Sequence, residues 1–444
     1  MSKSPLERFL SIFTQVKAGE GASALLLFVN LFLLLTAYYI IKPVREALIL
    51  AGGGAELKSY ASAGQAILLL GAVPFYSWLS SKFPRKPLIN IVTLFFIACL
   101  GLFYLLAQFK VPLGVIFFLW VGIFNLMVIA QFWSFANDLY TPEDGKRLFV
   151  IIAFGASSGA VFGSYITGQL IGIIGVYPLL LVSGALLLIS LLLTNIVDNR
   201  EKKGTKTDSK PVTVEPLKKG NGFGLVFKNH YLLLIALLML LLNWVNTTGE
   251  YILGRTVTQA ATEFVAAQGD GGMSMGEFIG KFYADFFTVV NILGLVIQLF
   301  IVSRIFKYLG IRVAILILPI IALGGYFIIA FFPILAMVRW AKTFENATDY
   351  SLQNTVRQVL FLPTTREEKY NAKQAIDTFF VRAGDVLSAL LVYVGTTYLA
   401  FQTKQFALFT LVLVVIWIIL AVAIGLENRK RVAQFNAPTG GQSA

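Results

Sequence analysis

The sequence predicts an all-α membrane protein that crosses the bilayer about twelve times, and three observations predict it. Of the 444 residues, 57% are hydrophobic and only 13% are charged, against about 25% charged in soluble domains. The apolar residues gather in runs of roughly twenty or more, the length that spans a hydrocarbon core. The 36 basic residues fall unevenly between those runs, as they do in membrane proteins. The formal charge of +13 therefore reads as topology. The lipid bilayer is an expected partner and nucleic acid is not.

The chain opens on a polar segment, 1–22. Ser4-Pro5-Leu6-Glu7 has the pattern of a helix start, with Ser4 as cap and Pro5 in the first turn. A short interfacial helix is expected there, with no cleavable leader. Spans follow at 23–50, 58–81, 87–108, 112–138, 148–173, 177–197, 230–252, 282–306, 312–332, 334–361, 371–400 and 405–426. An even number places both termini on one side. That side collects 24 basic residues in its loops and ends, while the opposite loops hold five: Lys58, Lys110, Arg255, Lys281 and Lys404. The bias makes both termini cytoplasmic.

Residues 198–229 form the long polar stretch of the chain. They lack hydrophobic periodicity and are rich in Lys, Gly and Thr, so a flexible cytoplasmic linker is expected. They divide the chain into bundles at 23–197 and 230–426, with a cytoplasmic tail at 427–444. Ser81-Lys82-Phe83-Pro84-Arg85-Lys86 follows span 2, and Ser303-Arg304-Ile305-Phe306-Lys307 follows span 8, 222 residues later. Tyr140-Thr141-Pro142 closes span 4, and Phe361-Leu362-Pro363 closes span 10, 221 residues later. Two matching offsets at equivalent positions indicate an internal repeat. Two pseudo-symmetric six-helix bundles with a substrate path between them is the major-facilitator plan.

Seven basic residues lie inside predicted spans: Lys42, Arg45, Arg339, Lys342, Arg357, Lys373 and Arg382. Eight acids join them: Glu46, Asp138, Glu250, Asp285, Glu345, Asp349, Asp377 and Asp385. A charge near the bilayer centre costs at least about 2.5–3.5 kcal/mol. Such residues must pair, lie at span ends, or face a hydrated cavity. In span 1, Lys42 and Glu46 are i and i+4 and share a face with Arg45 nearby. Pro43 removes a backbone donor and is expected to loosen the helix there. Arg offers a fixed fork to phosphate oxygens and Lys a mobile point charge. In span 11, Lys373/Asp377 and Arg382/Asp385 have pairing distance at i,i+4 and i,i+3. Lys42, Arg45, Arg357, Lys373 and Arg382 are the candidate substrate-binding residues. Glu46, Glu250, Asp285, Asp349, Asp377 and Asp385 are the candidate ion-pair and coupling residues. Span 5 carries Gly155, Gly159 and Gly163, a small-residue seam for close helix approach.

With one cysteine, Cys99, and one histidine, His230, the chain has no metal or nucleophile constellation. It is read as no enzyme, with no cofactor. His230 opens a span and is expected at the interface.

The stretches Tyr39-Ile40-Ile41-Lys42-Pro43-Val44-Arg45-Glu46, Phe132-Trp133-Ser134-Phe135-Ala136-Asn137-Asp138 and Lys373-Gln374-Ala375-Ile376-Asp377 resemble the ATP/ADP translocase family of nucleotide transporters. That family is known from plastids and obligate intracellular bacteria and has many further bacterial members. The resemblance implies twelve helices and exchange of nucleotides, with proton-coupled uptake in some members. It places a family lysine on Arg45, its neighbouring acid on Glu46, an upstream arginine on Lys42 and a late lysine on Lys373. The chain departs from the family at Pro43 and around Val121, where no acid stands early in span 4. These departures place it nearer the broad bacterial branch; a bacterial inner membrane and a monomeric state are also expected. The expected function is secondary active transport of nucleotides or related phosphorylated anions by alternating access. The alternative is a proton-coupled transporter of another solute, an organic anion or a lipid-like molecule.

Overall fold

A computed structural model describes residues 5–11, 14–17, 19–204, 222–268, 272–365 and 367–435. The expected cap Ser4, residues 205–221 of the linker and the tail from 436 lie outside the described residues. Among the described residues the regular structure is all helical. The short helix α1 is Pro5–Leu10, followed by α2, Gly21–Lys82, which runs through two expected spans in 62 residues.

No loop separates those two spans. The change of direction is a break inside the helix at Gly54, with φ 73° and ψ −173°. Only glycine enters that region freely, and the run Gly52-Gly53-Gly54 supplies it. Pro43 keeps helical dihedrals, because its fixed φ is itself compatible with a helix. The loosening expected at Pro43 is thus found eleven residues later. Lys58, expected in an outer loop, is consequently helical and buried.

Helix α3 is Arg85–Gln108, α4 is Gly114–Leu139, α5 is Pro142–Ile174 and α6 is Pro178–Gly204. Helix α7, Gly222–Lys228, leads to α8, His230–Gln268, with His230 exposed at its first residue. Helix α9, Met275–Val296, continues through a π-helical turn, Ile297–Ile301, into α10, Val302–Tyr308. Helix α11 is Gly310–Phe331. Helix α12, Leu335–Thr348, passes through a π turn, Asp349–Gln353, into α13, Asn354–Leu360. A π turn at Glu368–Ala372, α14 at Lys373–Ala375 and a π turn at Ile376–Phe380 lead into α15, Val381–Thr397. Helix α16 is Thr403–Phe435. Nine helices among the described residues are long and apolar enough to cross a membrane. Helix α2 accounts for two expected spans. The expected spans 334–361 and 371–400 are the α12–α13 and α14–α15 stretches, which π turns divide into shorter pieces.

The chain forms two compact units. Unit 1 comprises Met1–Leu57, Gly71–Val212 and Ala261–Asn291; unit 2 comprises Lys58–Leu70, Thr213–Ala260 and Ile292–Ala444. Unit 1 is filled by apolar side chains of α2, α3, α4 and α6. Phe96, Phe103, Phe117, Trp120 and Phe124 form a continuous aromatic stack at its centre. Helix α5 lies directly on the first half of α2. A Cβ at Gly155, Gly159 or Gly163 would fall 2.5, 2.4 or 2.5 Å from the carbonyl oxygens of Phe28, Phe32 and Thr36. Steps of four on both helices show that they run parallel in register, and the seam read from the sequence is this contact. In unit 2, Gly384 of α15 meets α8 in the same way, 2.8 Å from Leu240 O and Trp244 N.

Before the first span of unit 1, Lys17 Nζ lies 3.2 Å from Asp144 Oδ1, and Arg147 bridges Glu20, at 2.9 Å, and Asp144. Burial works to raise the Glu20 carboxyl, but hydrogen bonds from the Arg147 side chain and the Lys17 N–H outweigh it and hold it below its ordinary 4.5. The Thr141 hydroxyl, aided by Arg147 and Lys17 against a smaller effect of burial, holds Asp144 below its ordinary 3.8.

Two outcomes follow from this packing. Gly159→Val should lower the thermal stability of the detergent-solubilised protein by about 1–3 kcal/mol, the usual cost of overpacking. Gly172→Ala, with open space at its Cβ, should leave it unchanged. Both depressed carboxyls stabilise the folded tie fully above their ordinary values and lose that contribution as pH falls through the lower folded ones. A spin label at Thr14 should therefore be immobile at neutral pH and gain mobility below about pH 4, the ordinary carboxylate range.

Candidate functional site

In unit 1, the helical spacing of α2 brings Lys42, Arg45 and Glu46 together, as the sequence indicates. Arg45 Nε donates to Glu46 Oε1 at 3.1 Å. Its guanidinium lies over the Phe118 ring, 4.7 Å from the centroid. Lys42 Nζ lies 3.9 Å from the centroid of Phe287 of α9 and 5.2 Å from that of Tyr39. Aromatic faces attract cations, most strongly where water is scarce. Lys42 and Glu46 are buried, while the Arg45 side chain keeps 16% of its surface exposed. Asp285, also of α9, is exposed, and no ion pair holds it among the described residues. A Cβ at Gly168 of α5 would lie 3.0 Å from its Oδ1.

Unit 2 holds three polar centres. The first is a buried network. Lys342 of α12 is 0% exposed; its Nζ lies 2.9 Å from Glu345 Oε1, 2.9 Å from Asn246 Oδ1 and 3.9 Å from Glu250 Oε1. Glu250 also accepts from Asn346 at 3.0 Å and faces Lys58 Nζ at 3.6 Å. Two cations and two carboxylates compensate one another, as buried charges must. The Tyr326 hydroxyl beside them donates to Val245 O at 3.1 Å.

The second centre gathers Asp349, Arg357, Lys373 and Asp377. Arg357 donates to Asp349 Oδ1 at 2.7 Å. The Lys373 ammonium donates to Gln358 Oε1 at 2.6 Å and lies 5.6 Å from the centroid of Phe361. The expected Lys373–Asp377 ion pair is not formed, because that ammonium turns to Gln358. Asp377 is exposed and feels the charges of both Lys373 and Arg357. The third centre is the expected Arg382–Asp385 pair, at 3.3 Å. Asp385 also accepts from Asn243 at 2.8 Å and Thr247 at 2.7 Å, which ties α15 to α8.

Sequence reasoning marked Lys342 and Glu345 as charges inside a span but gave them no role, and it placed Lys58 in a loop. The i,i+3 spacing of Lys342 and Glu345 and the i,i+4 spacing of Asn246 and Glu250 were the available signals. No spacing along the chain could have joined Lys58 to Glu250.

The Major Facilitator Superfamily model matches residues 24–344. The chain belongs to that superfamily and is a secondary transporter, not an enzyme. Among curated proteins it is similar to ADP,ATP carrier protein 2 of Chlamydia pneumoniae, 21% identical over 527 residues that cover 97% of this chain and 93% of the relative. The family resemblance read from its motifs thus extends along nearly the whole chain. Among solved structures, it is similar to the nucleoside transporter NupG, with TM-score 0.63, 14% identity and coverage of 92% of this chain and 99% of that one. A bacterial homolog of the human lysosomal transporter Spinster in an inward-facing conformation matches with TM-score 0.60, 14% identity and coverage of 98% and 99%. Both confirm the fold.

Lys342→Met would leave Glu345 buried without its cation and should destabilise the protein by about 3–5 kcal/mol, the usual effect of breaking a buried pair. Adding Glu345→Gln should recover most of that loss. Thermal unfolding of the purified variants reads both.

Proposed function

We propose that the protein moves nucleotides, or closely related phosphorylated anions, across a bacterial inner membrane by alternating access, exchanging one nucleotide for another. The similarity to an ADP,ATP carrier along 97% of the chain supports a nucleotide substrate. The observation that carries the reading is the setting of Lys373. Its ammonium is held by a neutral amide and an aromatic face, so its charge is available to an anion. The side chains of Arg45, Arg357 and Arg382 each keep part of their surface exposed while a carboxylate pairs with the guanidinium. Glu46, Asp349 and Asp385 orient these forks when no substrate is bound, and phosphate oxygens, bidentate and more highly charged, replace them when it is. Lys42, fixed against Phe287 and Tyr39, adds positive potential beside Arg45. The excess of basic residues in alternate loops supports cytoplasmic termini. The chain acts as a monomer, each copy carrying both cation groups.

A second reading, proton-coupled transport of another solute such as an organic anion, is favoured by Asp285. It is an exposed carboxylate inside an apolar helix with no ion pair among the described residues.

Uptake of labelled ATP into proteoliposomes should require ADP inside and be competed by nucleotides outside. Arg45→Ala and Lys373→Ala should each lower uptake at least about tenfold, the effect of losing one charge-assisted contact of about 1.5–3 kcal/mol, with the protein still folded. Normal uptake by both variants would refute the cation site. Uptake driven by a proton gradient and indifferent to nucleotides would establish the second reading.

A further inference from the structure

Two buried glutamines stand 222 residues apart, Gln131 in α4 and Gln353 in the π turn between α12 and α13. Ser81 and Ser303 are separated by the same offset, and the ends of spans 4 and 10 by 221, so the two glutamines fall within one residue of equivalent positions of the internal repeat. Gln131 is 4% exposed and Gln353 0%. In both, neither the amide oxygen nor the amide nitrogen makes a hydrogen bond of ordinary geometry. Tyr76 is close enough to Gln131 to interact, but it leaves the amide incomplete. Buried amides without partners are rare because desolvation is then uncompensated. Finding two at equivalent positions points to a shared purpose.

In unit 1 the surroundings show what that purpose is. Gln131 lines a cavity of about 20 Å³ together with Thr93 of α3 and Ser190 and Thr194 of α6. A water needs roughly 10–15 Å³ of such space and two to four polar partners. The cavity meets both conditions, and it is too small for an organic ligand. It has no carboxylate among its lining residues, which disfavours a cation. At its rim, Ser190 Oγ donates to Asn30 Oδ1, and Asn30 Nδ2 donates to Thr194 Oγ1 at 2.7 Å. Each of these two hydroxyl oxygens keeps accepting capacity.

We propose that this cavity binds one ordered water, held by Gln131 and Thr93 with the Ser190 and Thr194 hydroxyls beside it, and that Gln353 marks its counterpart in unit 2. The water satisfies an amide that the Tyr76 contact leaves incomplete. Helix α4 can then shift against α3 and α6 without stranding a polar group, which suits a helix in a transporter. The inference does not depend on the identity of the substrate.

Hydroxyl-radical footprinting by X-ray radiolysis of the full-length protein in micelles, read by mass spectrometry, tests it. Bound water generates radicals in place and labels its neighbours. Phe132 and Phe135, which line the cavity and are 5% and 2% exposed, should be oxidised at least tenfold faster than Phe103 and Phe118, 6% and 3% exposed but not lining it. Equal rates would overturn the proposal. Gln131→Leu should lower the rate at Phe135 several-fold; an unchanged rate in that variant would also overturn it. Thr93→Val serves as the second variant should Gln131→Leu fail to fold. Labelling that disappears when sodium replaces choline in the buffer would assign the cavity to a cation and refute the water. Oxidation at Leu352, adjacent to Gln353, should match that at Phe135, and its absence would refute the counterpart in unit 2 alone.

Discussion

Charge inside a low-dielectric span is the constraint on which the rest of the molecule depends. A single uncompensated ionised side chain at the bilayer centre costs at least about 2.5–3.5 kcal/mol, a sizeable share of the margin by which proteins stay folded. Fifteen ionisable residues lie inside the expected spans, and the structure shows several ways of carrying them. Lys342 is enclosed by carboxylates and an asparagine. Lys42 rests on aromatic faces. Arg45, Arg357 and Arg382 each pair with a carboxylate while part of the side chain remains exposed. The first arrangement is closed and structural. The last is open, since these side chains stay partly exposed beside their carboxylates.

That difference separates scaffold from site within each unit. In unit 2 the Lys58–Glu250–Lys342–Glu345 network joins α2, α8 and α12. Asp385 with Asn243 and Thr247 performs the same service between α8 and α15, at the level where Gly384 lets the two backbones approach. These links fix the helices that present Arg357, Lys373 and Arg382. In unit 1 the glycine seam of α5 does the equivalent work for Lys42 and Arg45 by van der Waals contact, because a close backbone approach needs no charge.

The architecture was legible in the sequence because a bilayer imposes length and polarity on each span separately. Twelve apolar runs, the basic loops and the 222-residue offset are local patterns or simple repetitions. The seam at Gly155, Gly159 and Gly163 and the pair Arg382–Asp385 were legible for the same reason, since i,i+3 and i,i+4 neighbours follow from helix geometry. What was not legible is what depends on three-dimensional approach or on departure from that geometry. Lys58 belongs beside Glu250 only because α2 continues as a helix beyond Gly54. Pro43, a familiar breaker, stays helical because its fixed φ suits a helix, and the bend falls at Gly54, where no Cβ stands in the way.

The π turns explain the remaining surprises at the candidate site. In an uninterrupted α-helix of 3.6 residues per turn, residues seven apart face the same way. Asp349 and Arg357 are eight apart and yet hydrogen-bonded at 2.7 Å. The π turn Asp349–Gln353 lies between them, and its extra residue restores the alignment that a spacing of eight would otherwise lose. In span 11 the turns Glu368–Ala372 and Ile376–Phe380 flank Lys373, and the i,i+4 partnership with Asp377 expected of a regular helix gives way to a contact with Gln358. Such insertions leave backbone hydrogen bonds longer or incomplete, and they persist where the rest of the structure compensates for them. In unit 2 three of them crowd around Asp349, Arg357, Lys373 and Asp377. The helices that carry the open cations are therefore also those whose periodicity is interrupted.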